Sequence, residues 1–107
     1  MRNNIIVNKM VAYIEKIEAY CKDYDYKSFS ENSLLTEACV FNLSQLGELA
    51  TKLDKEFTEK HSNIPWHQMR GLRNRIVHDY EGVNLKLVWE IISCDLSELK
   101  KLLTKIK

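Results

Sequence analysis

The sequence predicts an all-α fold, an antiparallel up-and-down bundle of four to five helices in a single domain over residues 1–107. The chain has three Gly and one Pro among 107 residues, about 4% of the total, whereas these two residue types usually contribute roughly 12%. Folds with many tight turns are therefore disfavoured. Apolar residues recur at spacings of three and four along most of the chain, which is the helical period. A chain of this length is also too short to bury two separate cores.

Helix one is predicted from Asn4 to Asp23, because one stripe of this segment is apolar. The stripe contains Ile6, Met10, Tyr13 or Ile14, Ile17 and Cys21. The following residues, Asp23–Ser30, break the period and are predicted to form a loop. Ser30 or Asn32 can then serve as the N-cap of helix two.

Helix two is predicted to continue to about Lys60, with a bend near Gly47, because apolar residues keep the helical spacing throughout. Pro65 suits the first turn of helix three, where its missing N–H would be unpaired in any case. Helix three is expected to end between Val77 and Tyr80.

Helix four is predicted after the turn at Glu81–Gly82, with Asn84 as its N-cap. Its apolar positions are Leu85, Val88 or Trp89, Ile92, Leu96, Leu99, Leu103 and Ile106. Short connections between four such helices favour an antiparallel bundle.

Cysteine spacing and hydropathy narrow the class of protein. The three cysteines, Cys21, Cys39 and Cys94, are far apart in sequence and lack the spacing of a disulfide framework or a zinc site, so they are expected to be small core residues. No apolar run approaches the ~20 residues of a membrane span. Asn8 and Lys9 interrupt the apolar run near the N-terminus before it could form a secretory signal. We therefore expect a cytoplasmic protein without a membrane association or a bound metal.

Positive charge is concentrated in residues 60–78. This segment carries Lys60, Arg70, Arg73 and Arg75 and contains no Asp or Glu, whereas the rest of the chain has 12 basic and 15 acidic residues. Arginine clusters suit bidentate recognition of phosphate, so an anionic ligand is favoured over a simple solvated helix face.

A helical wheel drawn over an unbroken helix three places Arg73 in the middle of its apolar stripe. An inward guanidinium requires an anion or many hydrogen bonds, because burying it unpaired is costly. The alternatives are a phosphate-binding opening, an internal ion pair such as one with Glu48, or a head group that reaches solvent at the end of the bundle. Trp66 shares the stripe and is expected in the core rather than stacked on a base.

His78 adds acid–base chemistry to the arginine cluster. It lies 140° from Arg73 on a continuous helix, so the two side chains can converge only if the helix ends or loosens near His78. An imidazole can transfer a proton near neutral pH while a guanidinium balances charge on a phosphorane, which is the minimum that cleaving RNA without metal requires; on chemistry alone such a pair is a weak signal.

The octapeptide from Arg73 to Tyr80 resembles the Arg-x4-His-x-Tyr signature of the HepT-like toxins, a branch of the HEPN superfamily. Four further segments are similar to that family in order and spacing, and together the similarity spans about residues 35 to 105. These segments are residues 46–50, 64–66, 69–74 and 83–89.

The resemblance implies a metal-independent endoribonuclease that needs no cofactor and acts as a toxin. It implies that Arg73 and His78 are the catalytic pair and that Asn74 is the polar residue that commonly follows the Arg. It also implies a homodimer in which two motifs face one cleft. The implied partner is a minimal nucleotidyltransferase antitoxin, which would neutralise the toxin by adenylylating Tyr80.

The mechanism expected from these assignments is attack of an RNA 2′-hydroxyl on its own phosphodiester. His78 would assist proton transfer while Arg73, with Arg70 or Arg75, holds the phosphate. Two other hypotheses compete: a non-catalytic module that binds a nucleotide or the partner enzyme, and a structural helical dimer without ligand. The second is the least favoured, because it leaves an inward Arg73 unexplained. Trp89 and the aromatic residues between Tyr20 and Phe29 are interpreted as core or dimer contacts.

Overall fold

The computed structural model describes residues 2–78 and 82–106, and for Val77 and His78 it describes the backbone only. The described part of the chain is mostly helical, so the all-α prediction is confirmed. The helices are α1 (Arg2–Cys21), α2 (Tyr26–Ser30), α3 (Ser33–Thr51), α4 (Lys55–Lys60), α5 (Trp66–Arg70), α6 (Leu72–Ile76), α7 (Leu85–Glu90) and α8 (Leu96–Thr104). A π-helical turn, Ile91–Asp95, joins α7 to α8, and two short strands, β1 (Val77–His78) and β2 (Gly82–Val83), precede α7.

The core lies between α1, α3 and α8, with α5 and α6 packed on α3. Helix α1 buries the predicted stripe together with Val7, so helix one is confirmed, beginning at Arg2 and ending at Cys21. Asn32 is the N-cap of α3, since its Oδ1 accepts a hydrogen bond from the backbone N–H of Leu35 at 2.9 Å.

The loop predicted at residues 23–30 is partly wrong, because Tyr26–Ser30 forms α2. Asp25 and Ser28 make a capping box in which each side chain accepts a hydrogen bond from the backbone N–H of the other. This reciprocal cap satisfies donors that a short helix would otherwise leave unpaired. Phe29 is fully buried beneath Trp89, with ring centroids 4.9 Å apart, and anchors the helix.

The prediction of one continuous helix from residue 32 to Lys60 is wrong, because the chain turns between α3 and α4. Asp54 accepts hydrogen bonds from Arg2 at 3.1 Å and Asn3 at 3.2 Å, and its backbone N–H donates to Asn3 Oδ1. These contacts from a segment about 50 residues away hold the turn. Gly47 does not interrupt α3; it lies against α5, where an added Cβ would be 2.6 Å from the carbonyl oxygen of Met69.

Helix three is likewise divided, into α5 and α6 around Gly71, and its helical part ends at Ile76 rather than between Val77 and Tyr80. Strands β1 and β2 then pair antiparallel, with His78 opposite Gly82. Gly82 has φ +79°, a backbone conformation that residues other than glycine rarely adopt. Its presence permits the reversal of the chain.

The predicted N-cap of helix four is confirmed, since Asn84 Oδ1 accepts a hydrogen bond from the N–H of Leu87 at 3.1 Å. Helix four continues through the π-helical turn into α8 and buries Val88, Ile92, Leu96, Leu99 and Leu103. Within residues 2–78 and 82–106, no helix combines the length and apolarity that a membrane span requires.

Candidate active site

The basic segment, residues 60–78, packs its apolar side chains into the core and leaves its arginines exposed to solvent. Trp66 and Met69 of α5 are buried, and Trp66 donates its indole N–H to the carbonyl oxygen of His61 at 3.0 Å. Leu72 and Ile76 bury one side of α6. The expectation that Trp66 belongs to the core is therefore confirmed.

Arg73 is exposed, so its predicted position in the middle of an apolar stripe is wrong. The wheel assumed one unbroken helix from Trp66 to Tyr80, whereas the chain is divided at Gly71 and its helical part ends at Ile76. In α6 the buried pair is Leu72 and Ile76, one helical turn apart, and Arg73 projects away from it. The proposed internal ion pair with Glu48 is absent from the described contacts, and Glu48 is itself exposed.

An exposed Arg73 also changes the weight of the competing hypotheses. A guanidinium in solvent carries no burial penalty, so it does not require a ligand in the way that a buried one would. An exposed Arg73 is therefore compatible with a purely structural dimer that binds no ligand. What remains is a cluster of cations that is accessible to a ligand.

The other predicted phosphate-binding residues, Arg70, Asn74 and Arg75, are exposed as well. Arg70 Nε donates to the carbonyl oxygen of Ala50 at 3.4 Å, which ties this side chain to the last turn of α3. Arg75 instead lines a groove beside α8. Arg70 therefore makes a hydrogen bond to the backbone of a neighbouring helix. Among the described residues, no such hydrogen bond is found for Arg73 or Arg75.

The backbone of His78 lies in β1, directly after the last turn of α6. The hairpin is closed by the N–H of Asn84, which donates to the carbonyl oxygen of Ile76 at 2.7 Å. The helix thus ends before His78, as convergence with Arg73 requires. The imidazole itself and the whole of Tyr80 lie outside the described residues, so both assignments stay predictions.

No carboxylate forms an ion pair with the clustered arginines in the part of the chain that the structure describes. Among the described side chains the ion pairs are Arg2–Asp54, Lys55–Glu59 and Lys100–Glu18. In the same part of the chain, no group of three or more His, Cys, Asp or Glu is arranged to hold a metal ion.

A groove of about 430 Å³ separates α5 and α6 from the π-helical turn and α8. Arg75 and Gln68 lie on one wall, and Cys94, Asp95 and Glu98 lie on the other. Cys94 is exposed here, so the expectation of a core residue is wrong for this cysteine and confirmed for Cys21 and Cys39. The sequence could not indicate the groove, because its two walls are about 20 residues apart along the chain.

An apolar surface lies on the other side of the hairpin. Leu34 is 80% exposed and Phe41 58% exposed on α3, and Val83 of β2 is 36% exposed. Phe41 and Val83 line a shallow depression of about 230 Å³. We call Phe41 and Val83 the hairpin patch. The sequence carried a signal that we did not use: Leu34 and Phe41 lie seven residues apart, outside the stripe that α3 buries.

Comparison with known proteins places this chain in a family. The sequence model of a family described as Ribonuclease HepT-like matches residues 10–106. The chain is 37% identical over 101 residues to a protein of Caldanaerobacter subterraneus that is provisionally named an RNase; the match covers 88% of this chain and 90% of that one.

Two archaeal proteins are also similar. One, from Methanocaldococcus jannaschii, carries the same provisional name of RNase and is 37% identical over 77% of this chain and 75% of its own. The other, from Thermococcus cleftensis, is provisionally named ribonuclease HepT and is 27% identical over 88% of this chain and 86% of its own. No solved structure gave a significant match.

Proposed function

The chain belongs to the ribonuclease HepT-like family, and on this premise we propose that it is a metal-independent endoribonuclease that serves as the toxin of a toxin–antitoxin pair. The observation that supports this best is the exposure of Arg73 and Arg75 one helical turn or less before the hairpin that carries His78. Accessible guanidinium groups next to a titratable imidazole are the groups that phosphodiester cleavage needs.

In the proposed reaction, Arg73 binds a non-bridging phosphate oxygen of RNA. His78 accepts the proton of the adjacent 2′-hydroxyl, whose oxygen attacks the phosphorus, and the bond to the 5′-oxygen breaks as that oxygen takes up a proton from the protonated imidazole. The products are a 2′,3′-cyclic phosphate and a 5′-hydroxyl. The guanidinium offsets the negative charge that develops on the phosphorane. Arg75 and Asn74 assist in positioning the strand, and the free nitrogens of Arg70 add to the local positive field.

The active unit in this proposal is a homodimer in which two motifs share one cleft. The hairpin patch supports it, since an exposed apolar surface next to the catalytic hairpin is typical of an interface. A two-fold axis through this patch would bring two copies of β1 and β2 together. The RNA would then lie in a cleft lined by Arg73 and His78 of both chains.

The proposed regulator is a nucleotidyltransferase antitoxin that adenylylates Tyr80. In sequence Tyr80 lies between His78 and Gly82, the residues that pair across β1 and β2. AMP attached there would bring a phosphate and a bulky nucleoside next to the arginine cluster. The negative charge would compete with RNA for the same guanidinium groups.

The test is cleavage of a single-stranded RNA in EDTA by purified wild type and by His78→Ala. We expect the rate to fall by roughly 10²-fold or more, the usual size of a lost general acid or base. His67→Ala is the matched control, because His67 is exposed on α5 in the same basic segment. Undiminished cleavage by folded His78→Ala would remove His78 from the mechanism. RNA binding without cleavage by wild type would favour the non-catalytic module.

A further inference from the structure

Cys21 and Cys39 are in contact although 18 residues separate them in sequence. Cys21 is the last residue of α1 and Cys39 lies in α3, and their sulfur atoms are 3.5 Å apart. Cys39 is fully buried, whereas Cys21 retains 8% exposure. The spacing of the cysteines alone did not indicate this pair, because α2 and its flanking turns bring the two helices together.

We propose that Cys21 and Cys39 form a reversible disulfide when a hydroperoxide oxidises Cys21. The proposal concerns a modification site that is separate from the arginine cluster, and it does not depend on the proposed ribonuclease activity. Disulfides in reducing compartments are typically transient and redox-sensing.

Cys21 is the more accessible member of the pair, since it retains 8% exposure whereas Cys39 has none. It is followed by the turn at residues 22–25, in which Asp23 has φ +68°, a left-handed conformation that is uncommon for a residue other than glycine. Opening of this exposed turn uncovers Cys21, whereas Cys39 lies in the interior of α3 and is covered by the core.

The contact between the sulfurs also shifts the pKa values of the two thiols in opposite directions. The hydrogen bond from Cys39 lowers the pKa of the Cys21 thiol, against the opposing effect of its burial. The same hydrogen bond, together with burial, raises the pKa of Cys39. Cys21 is therefore the more acidic thiol of the pair, and the thiolate is the form that reacts with peroxide.

The reaction balances as two steps. The Cys21 thiolate attacks one peroxide oxygen, the O–O bond breaks, and Cys21 becomes a sulfenic acid; the hydroxide that leaves takes up the proton that the Cys21 thiol had lost and becomes one water. The Cys39 sulfur then attacks the Cys21 sulfur, the S–O bond breaks, and the hydroxyl leaves as a second water with the Cys39 proton. Two thiols lose two electrons, and hydrogen peroxide takes them up. The sulfurs close from 3.5 Å to about 2.05 Å.

The experiment uses the full chain with Cys94→Ser, because Cys94 is exposed and could form disulfides between chains. The folded protein is treated with hydrogen peroxide, denatured, alkylated and digested with trypsin without reduction. We expect a disulfide joining the peptides 17–22 and 28–52, a monomer on a non-reducing gel, and recovery of both thiols with dithiothreitol. The melting temperature of the oxidised form should rise by about 15 °C, since the bond closes a loop of 18 residues in the unfolded chain, which is worth about 3 kcal/mol.

Three results would overturn the proposal. Both thiols could stay free at peroxide concentrations that oxidise Cys94 in the unsubstituted chain, the bond could form only after denaturation, or Cys21 could accumulate as sulfinic acid. Cys39→Ala in the same background should convert the disulfide into a sulfenic or sulfinic acid on Cys21. If Cys39→Ala does not fold, the peptide map of the Cys94→Ser protein still decides the question.

Discussion

Substituting Gly47 tests how tightly the segment that carries the arginines is held against α3. A Cβ at this position would lie 2.6 Å from the carbonyl oxygen of Met69, whereas real Cβ atoms essentially never approach closer than 3.0 Å. Gly47→Ala must therefore push α5 away by roughly 0.4 Å or more. Overpacking costs about 1–3 kcal/mol, and we expect the upper end because the obstructing atom belongs to the backbone.

Alanine also has the higher helix propensity, by about 1 kcal/mol, so the net loss should be about 2 kcal/mol. For a domain of this size, that loss lowers the melting temperature by about 10 °C. Thermal unfolding followed by circular dichroism measures it. The same shift should loosen the contact between Arg70 and Ala50, which spans the same interface.

Gly71→Ala is the matched control. Its nearest atoms to an added Cβ are backbone oxygens at 3.7 and 3.8 Å, which is ordinary contact distance, and its φ of −92° suits alanine. We expect a melting temperature equal to that of wild type or a few degrees higher, from the reduced freedom of the unfolded chain. If Gly47→Ala melts at or above Gly71→Ala, the close approach of α5 to α3 is not what fixes the arginine segment.

Three further predictions concern the cluster and its regulation. Arg73→Ala should have a free energy of unfolding within about 0.5 kcal/mol of that of wild type, because Arg73 is exposed, but it should lose RNA cleavage. A large loss of stability would instead indicate that Arg73 makes a structural contact. A wild-type chain paired with a chain that lacks both Arg73 and His78 should keep well under half of the wild-type activity, and half or more would show that each chain carries a complete site. Tyr80→Phe should remain an active nuclease and become insensitive to an adenylylating antitoxin. Intact-mass measurement should then find AMP on wild type only, and equal neutralisation of both proteins without any mass change would exclude the switch.

Periodicity predicts the helices of this chain well where local signals decide. The buried stripe of α1 and the caps at Asn32 and Asn84 follow from short-range patterns that the structure reproduces. The division of helix two could not be predicted in this way, because contacts from Arg2 and Asn3 to Asp54 hold the turn. Such contacts between distant segments leave no periodic trace in the sequence.

The same limit explains what was missed at the candidate site. The charge segregation in residues 60–78 was visible at once, but the exposure of Arg73 depended on which neighbours α6 buries, Leu72 and Ile76, and on where the helix ends. A helical wheel predicts the direction of a side chain only for as long as the helix is continuous. The pairing of Cys21 with Cys39 likewise depends on how α1 and α3 dock, which spacing alone does not give.

The central claim is that Arg73 and His78 act together on one phosphodiester, and a double-mutant cycle on single-turnover RNA cleavage in EDTA tests it most directly. Catalytic residues that act as a unit show strongly non-additive effects. We expect Arg73→Ala and His78→Ala each to reduce the rate by roughly 10²-fold or more, and the double variant to be hardly slower than the slower single variant. Rates that fall by the product of the two single effects, or a folded double variant that cleaves as fast as wild type, would contradict it.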